Sequence, residues 1–277
     1  KFRRMKTDFH TAENSDSVRS VIRALGLLTA LGKEGRSLTE LARAVGISPS
    51  TASRLLNTLQ GQGFIANNEE NKYVPGLALT SLLYSTDQWA PLRQVARAAT
   101  AALRAELNVT VAFFVRTAYD RLCIESSESE QVVRRICQPG ERRTIFRGAA
   151  GKALLAFGED KNPWADLFGT DDRFEMATGS VRTVAELAKE CDEIRRQGYA
   201  FSRQESTLES WAVAAPVYID GKLVGVLTTV VPLTRFSEAG LAQVIKATSD
   251  VANRYSNQSH VERKRKNGRP KATVGAR

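Results

Sequence analysis

Apolar positions first fall into step at Val18, Val21, Ile22, Leu25, Leu28 and Leu31, a spacing of three and four residues that predicts a helix with one buried stripe. Gly32 and Gly35 end it. Ser37 with Glu40 forms a capping box for a second helix that reaches about Val45. Gly46-Ile47-Ser48 then breaks the chain. Glycine accepts a positive φ, Ile47 can plug the core, and Ser48 can cap a third helix that opens on Pro49. In that helix Ala52, Leu55, Leu56 and Leu59 share one face. Ser50, Thr51, Ser53, Arg54, Asn57 and Thr58 are left pointing outward. Gly61 and Gly63 close it, and two short strands over 64–66 and 72–74 enclose a polar tip at 67–71.

A helix-compatible stretch over 76–88 leads to Pro91, where a helix can start with Leu92, Val95, Ala99, Leu103 and Leu107 along one side. Three β-rich runs follow over 109–115, 122–125 and 131–137, then a short helix over 148–157. Thr183 and Glu186 make a second capping box. Its helix carries Val184, Leu187, Cys191 and Ile194 on one side and stops at Gly198. Strands resume over 199–203, 211–219 and 222–231, with Asp220-Gly221 as a two-residue hairpin turn between the last two. Ser237 caps a final helix striped with Leu241, Val244, Ile245, Val251, Ala252 and Tyr255, in which Thr248 is the one polar residue in register. This order predicts an α/β second domain with a largely antiparallel sheet.

The chain's 277 residues, 42% of them apolar, suffice for two domains. No apolar run approaches the roughly 20 residues of a membrane helix, and the first residues are basic and polar without a signal-peptide core. A cytoplasmic location without a membrane partner is therefore expected. Cys123, Cys137 and Cys191 lie apart, which suits neither a disulfide framework nor a thiolate metal site. The two histidines, His10 and His260, sit in polar terminal segments, which disfavours histidine catalysis and most zinc chemistry. No metal and no cofactor is expected. The net charge of +10 divides as +4 over residues 1–85, zero over 86–256 and +6 over 257–277. Basic ends around a neutral middle suggest a polyanion, nucleic acid or membrane surface, for the ends and a separate task for the centre.

The third helix narrows that choice. Its outward face is short, hydroxylic and almost free of acid, so the backbone can approach a DNA major groove while Arg54 and Asn57 reach phosphates and base edges. With the hairpin as a wing, this is winged helix-turn-helix chemistry; a small three-helix protein-binding domain is the blander alternative. At Ser20-Val21-Ile22-Arg23-Ala24-Leu25, Leu38-Thr39-Glu40-Leu41-Ala42, Ser50-Thr51-Ala52-Ser53-Arg54-Leu55-Leu56 and Gly63-Phe64-Ile65 the chain resembles the IclR-type bacterial transcription regulators. The resemblance implies DNA contact from Ser50, Thr51, Ser53, Arg54 and Asn57, with Lys72 on the wing.

It extends into the second domain through Gly151-Lys152-Ala153-Leu154-Leu155-Ala156, Ile194-Arg195-Arg196-Gln197-Gly198-Tyr199-Ala200, Glu205 and Ala214-Ala215-Pro216-Val217. These are similar to the effector-binding domain of the same regulators. By position the resemblance implies a pocket made by Phe146, Arg147, Gly148, Ala149, Ala150, Arg203, Glu205, Ser210, Trp211, Ala212, Thr228 and Val230. Family members usually carry small hydroxylic residues just before the Gly-Lys, whereas here Arg147 stands near a helix start, suited to a carboxylate; a surface arginine in a salt bridge is the plainer reading. Arg147 and Asp87-Gln88-Trp89 are also similar to the subgroup that controls breakdown of hydroxylated phenylpropionates and related aromatic acids.

The resulting expectation is a multidomain α/β chain: a flexible arm over 1–16, a winged helix-turn-helix over 17–75, a helical linker over 76–90, a GAF-like effector-binding domain over 91–256 and a disordered basic tail over 257–277. Its partners would be double-stranded operator DNA, a small or aromatic carboxylic acid as effector, and its own copies as a homodimer or homotetramer. The pattern leaves repression and activation equally open. An enzyme acting on a small acid, with the first domain for protein contacts, is the reading from another class. The usual enzyme signatures do not support it. Gly61-Gln62-Gly63-Phe64-Ile65-Ala66 follows a helix and precedes a strand, the reverse of a dinucleotide fold. Gly151-Lys152 lacks the first glycine and the hydroxyl of a phosphate loop. The acid pairs Asp171-Asp172 and Glu125 with Glu128 lie in polar connections. In the tail, Gly268-Arg269-Pro270 resembles part of an AT-hook, with nonspecific phosphate attraction as the simpler account.

Overall fold

In the computed structural model, α1 (Arg19–Ala30), α2 (Leu38–Val45) and α3 (Pro49–Gly61) close around Leu27, Leu31, Leu41, Ala42, Ala52, Leu56 and Ile65. The structure describes residues 18–32, 34–85, 89–160, 163–235 and 237–267. They fall into two units, Lys1–Trp89 and Ala90–Arg277. In the first unit the α2 capping box is complete: the Ser37 amide donates to Glu40 Oε2 at 2.8 Å and the Glu40 amide to Ser37 Oγ at 3.4 Å. Helix α1 departs from the expected stripe. Leu27 and Leu31 enter the core, whereas Val18, Val21 and Leu25 are more than half exposed. Leu27 beside Leu28 makes the apolar arc wide enough for two faces, and packing by α2 and α3 selects one of them. Strands β1 (Ile65–Asn67) and β2 (Tyr73–Pro75) pair antiparallel, each starting one residue later than expected. Arg36 adds a backbone bridge to Tyr73 that the sequence did not reveal. Helix α4 (Leu77–Ser85) follows.

The second unit begins with α5 (Ala90–Leu107), β3 (Thr110–Arg116), β4 (Asp120–Ser127) and β5 (Arg142–Thr144). Next come α6 (Gly148–Phe157), α7 (Trp164–Phe168), and a small hairpin of β6 (Arg173–Glu175) and β7 (Val181–Thr183). Helix α8 (Val184–Gln197), β8 (Ala200–Arg203), β9 (Ser210–Ile219), β10 (Lys222–Pro232) and α9 (Glu238–Asn267) complete it. The main sheet has the order β5-β4-β3-β10-β9-β8 with every neighbouring pair antiparallel. Strand alternation sorts its side chains onto two faces. Ala112, Phe114, Ala214, Val226 and Val230 meet α6, α7 and α8, whereas Val111, Phe113, Trp211, Val213, Leu227 and Val231 meet α5 and α9.

Two expectations are corrected here. The run 131–137 is not a strand, although β-branched residues fill it; Val132, Val133 and Ile136 are exposed. The outer edge of β4 is already taken, by β5 through Asp120 to Leu122 and by residues 140 and 141 through Cys123. The other concerns the tail. Helix α9 runs on to Asn267, through half of the segment expected to be disordered, because after Gly240 in its first turn the next breakers are Gly268 and Pro270. The expected arm over 1–16 and residues 268–277 lie outside the described residues.

Candidate functional site

Helix α3 presents the first candidate surface. Ser48 caps it, accepting from the Thr51 amide at 3.2 Å, and Pro49 occupies the first turn. Burial of Ala52 and Leu56 turns Ser50, Arg54 and Asn57 fully outward, while Thr51 and Ser53 are half-buried at the flank. The Arg54 guanidinium makes no ion pair among the described residues, so it is available to a phosphate or a base edge. The wing is less cationic than expected. Lys72 lies just before β2 and pairs with Glu70 at 2.7 Å, which holds the Glu70 carboxyl below its ordinary range. The tip is built by Asn68, whose Oδ1 accepts from the amides of Glu70 and Lys72.

The second candidate is a cavity in the second unit, between the start of α6, β4, β5 and the β8–β9 connection. Its free volume is about 50 Å³, room for a few water-sized groups at roughly 10–15 Å³ each. One glycine on its wall and one behind it allow the close packing. Gly148 has φ +75°, and a Cβ there would overlap Ser206 Oγ; a Cβ on Gly151 would overlap the Ile145 carbonyl beside the Arg121 guanidinium. Arg121 is the buried cation of the site. It donates to the carbonyls of Thr144, at 2.8 Å, and Arg147, and to Ser206 Oγ at 3.0 Å. All three acceptors are neutral. Burial, helped by Arg143, pushes its guanidinium down to about 10, so it stays charged at neutral pH. Thr228 is 2% exposed, and its Oγ1 has no hydrogen-bond partner.

Acid on the wall is already engaged. Glu205 accepts from Lys152 Nζ at 2.6 Å and from the Gly148 amide at 3.0 Å. Lys152, 1% exposed, also donates to Glu190 at 2.5 Å and to the Phe201 carbonyl at 2.9 Å. Glu190 is in turn held by Arg182 at 2.8 Å. The ladder Arg182–Glu190–Lys152–Glu205 therefore fixes a carboxylate on the cavity wall and neutralises it.

Of the residues implied by resemblance, the structure brings Gly148, Ala149, Glu205, Ser210, Ala212, Thr228 and Val230 together around this cavity. Phe146, Arg147, Ala150, Arg203 and Trp211 do not line it. Phe146 packs on Phe168 and Phe174, ring centroids 5.1 Å away in each case. The Arg147 guanidinium lies over the Phe146 ring at 5.5 Å, and Ala150 is core. Trp211 and Arg203 are register partners one residue from Ala212 and Ser202, which puts their side chains on the opposite face of the sheet. The sequence reading missed Phe114, Arg121, Arg135, Cys137, Arg143 and Ser202, among others, on the wall. Arg121 was detectable in principle, because it occupies the same inward register as Cys123 on β4, one residue before the expected strand began.

Residues 20–69 match the IclR helix-turn-helix domain, and residues 86–257 the C-terminal domain of bacterial transcriptional regulators of the IclR type. Among curated proteins, the chain is 30% identical to the transcriptional regulator KdgR of Escherichia coli over 88% of this chain and 93% of that one. It is 25% identical to the repressor IclR of the same organism, again over 88% and 93%. Among solved structures, an IclR-type regulator from Silicibacter sp. superposes with a TM-score of 0.73 at 22% identity, covering 87% of this chain and 96% of that one. An IclR homolog from Microbacterium hydrocarbonoxydans, complexed with 4-hydroxybenzoate, gives 0.70 at 17% identity over 87% and 99%.

Proposed function

This chain belongs to the IclR family of DNA-binding bacterial transcriptional regulators, and from that premise we propose that a small carboxylic acid, bound in the cavity of the second unit, sets the affinity of the first unit for operator DNA. Its curated relatives are transcriptional regulators, not enzymes. Ser50, Thr51, Ser53, Arg54 and Asn57 are the DNA contacts of this reading, with Lys72 joining once it leaves Glu70. The observation that carries the effector half is Arg121, a buried guanidinium whose direct partners are all neutral. An entering carboxylate gives it the charged partner that it lacks. The cavity's free volume favours a small acid over a hydroxylated aromatic one. A homolog of the same fold from Microbacterium is complexed with 4-hydroxybenzoate, a precedent for an acid ligand on this fold, though of a different size. The apolar face of α1 at Val18, Val21 and Leu25 supports assembly with a second copy, which lets two recognition helices read two half-sites. Control then follows by linkage: an acid that binds one arrangement better shifts DNA affinity by at most that preference, and DNA changes acid affinity by the same factor as the acid changes DNA affinity.

The test is fluorescence anisotropy on DNA from upstream of the protein's own gene, with excess unrelated competitor at about 150 mM salt, where nonspecific binding fades. Saturable binding is expected, weakened about tenfold or more in Arg54→Ala and shifted by a small acid. Binding that the competitor abolishes would refute operator reading at that promoter.

A further inference from the structure

The charge balance of the cavity goes further than one carboxylate, and the inference from it rests on the effector reading above. Four ionisable side chains of fixed charge line the cavity: Arg121, Arg135, Arg143 and Glu205. Glu205 is cancelled by Lys152, and Arg143 by Glu141, whose Oε1 accepts from its Nε at 2.9 Å and from its terminal nitrogen at 2.6 Å. Arg121 has neutral acceptors only, and Arg135 makes no hydrogen bond or ion pair among the described residues. Two guanidinium charges are left over.

Arg121 and Arg143 are direct register partners across β4 and β5, where like charges repel. All three arginines line the same wall as the Cys137 thiol: burial and Glu141 raise its pKa, and Arg143, Arg135 and Arg121 oppose the rise. Three cations thus converge on one small volume beside the unpartnered Thr228 hydroxyl, with net charge of two to be met. We propose that the effector of this protein is a small dicarboxylate, one carboxylate held by Arg121 at the inner end and the other by Arg135 at the β4–β5 connection, with Thr228 donating to or accepting from the ligand between them.

The experiment titrates the full-length protein, by calorimetry and thermal shift, with the dicarboxylates from malonate to adipate and with monocarboxylates of matching chain length. Inorganic phosphate serves as the other compact dianion. At least one dicarboxylate is expected to bind about tenfold or more tightly than its matched monocarboxylate, the effect of one charge-assisted contact. Arg135 has no partner to strand, so R135Q should fold normally and bring the two affinities level. Monocarboxylates binding as well as dicarboxylates in the unchanged protein would overturn the proposal while leaving an acid effector standing. An unaltered preference in R135Q would overturn the role of Arg135. Phosphate binding with no dicarboxylate binding would replace the ligand class. Were no acid in either series to bind or to move DNA affinity, the dicarboxylate and the acid-effector reading would fall together.

Discussion

Lys152 shows how much one side chain can decide. A buried ammonium is costly unless its partners have good geometry, and Lys152 directs its three protons to Glu190, Glu205 and the Phe201 carbonyl. Lys152→Met removes the cation and leaves Glu205 on the cavity wall with only the Gly148 amide as a donor. A loss of about 3–5 kcal/mol is expected in urea unfolding, the usual consequence of stranding a buried charge; a loss below about 1 kcal/mol would mean that Glu205 escapes to water. The same ladder sets an acid limit. Burial raises the Glu190 pKa, but Lys152 and Arg182 outweigh it and hold the carboxyl below 4.5. A carboxyl with depressed folded pKa stabilises above its unfolded value, and that contribution disappears as pH falls through the folded one. Stability should therefore decline below pH 4.5, and Glu190→Gln should flatten that decline.

Between elements, the contact of α9 with β10 shows a polar pair inside an apolar layer. Thr248 breaks the stripe of α9, and Thr229 faces it from β10, their Oγ1 atoms 2.7 Å apart and both residues fully buried. Each hydroxyl satisfies the other, so neither is a defect alone. Thr248→Val is expected to cost about 1–3 kcal/mol by leaving Thr229 unsatisfied, whereas Thr229→Val with Thr248→Val should recover most of it. Equal losses in the single and double variants, read by denaturant midpoints, would show that packing and not the hydrogen bond matters. The stripe of α9 was legible from spacing; the reason that a threonine is tolerated in it required the facing strand.

For the whole molecule, the charge distribution carries the argument. The neutral middle holds the cavity, and the +6 of residues 257–277 begins where the match to the family's C-terminal domain ends. If Arg263, Lys264, Arg265 and Lys266 reach DNA phosphates, replacing all four by Gln should shallow the salt dependence of operator binding by about 0.9 in log–log slope for each phosphate no longer neutralised. A slope identical to that of the unchanged protein would remove this segment from DNA binding.

The sequence by itself determined whatever depends on neighbours along the chain: the capping boxes at Ser37 and Thr183, the Asp220-Gly221 turn, the helix that opens on Pro49, and the bounds of α6. These rest on local hydrogen bonds and on φ preferences, which a linear reading can evaluate. Seven cavity residues were also reachable, by resemblance. What the tertiary structure alone decided depends on partners distant in sequence. Which face of α1 enters the core turns on its packing against α2 and α3, whereas whether the run 131–137 finds a strand edge and which of Ser202 or Arg203 and Ala212 or Trp211 faces the cavity turn on registers set across the sheet. A one-residue step on a strand exchanges one face for the other. Arg121 thus enters the cavity from its inward register on β4, whereas Arg147, the residue before α6 and on no strand, lies over the Phe146 ring and does not line it.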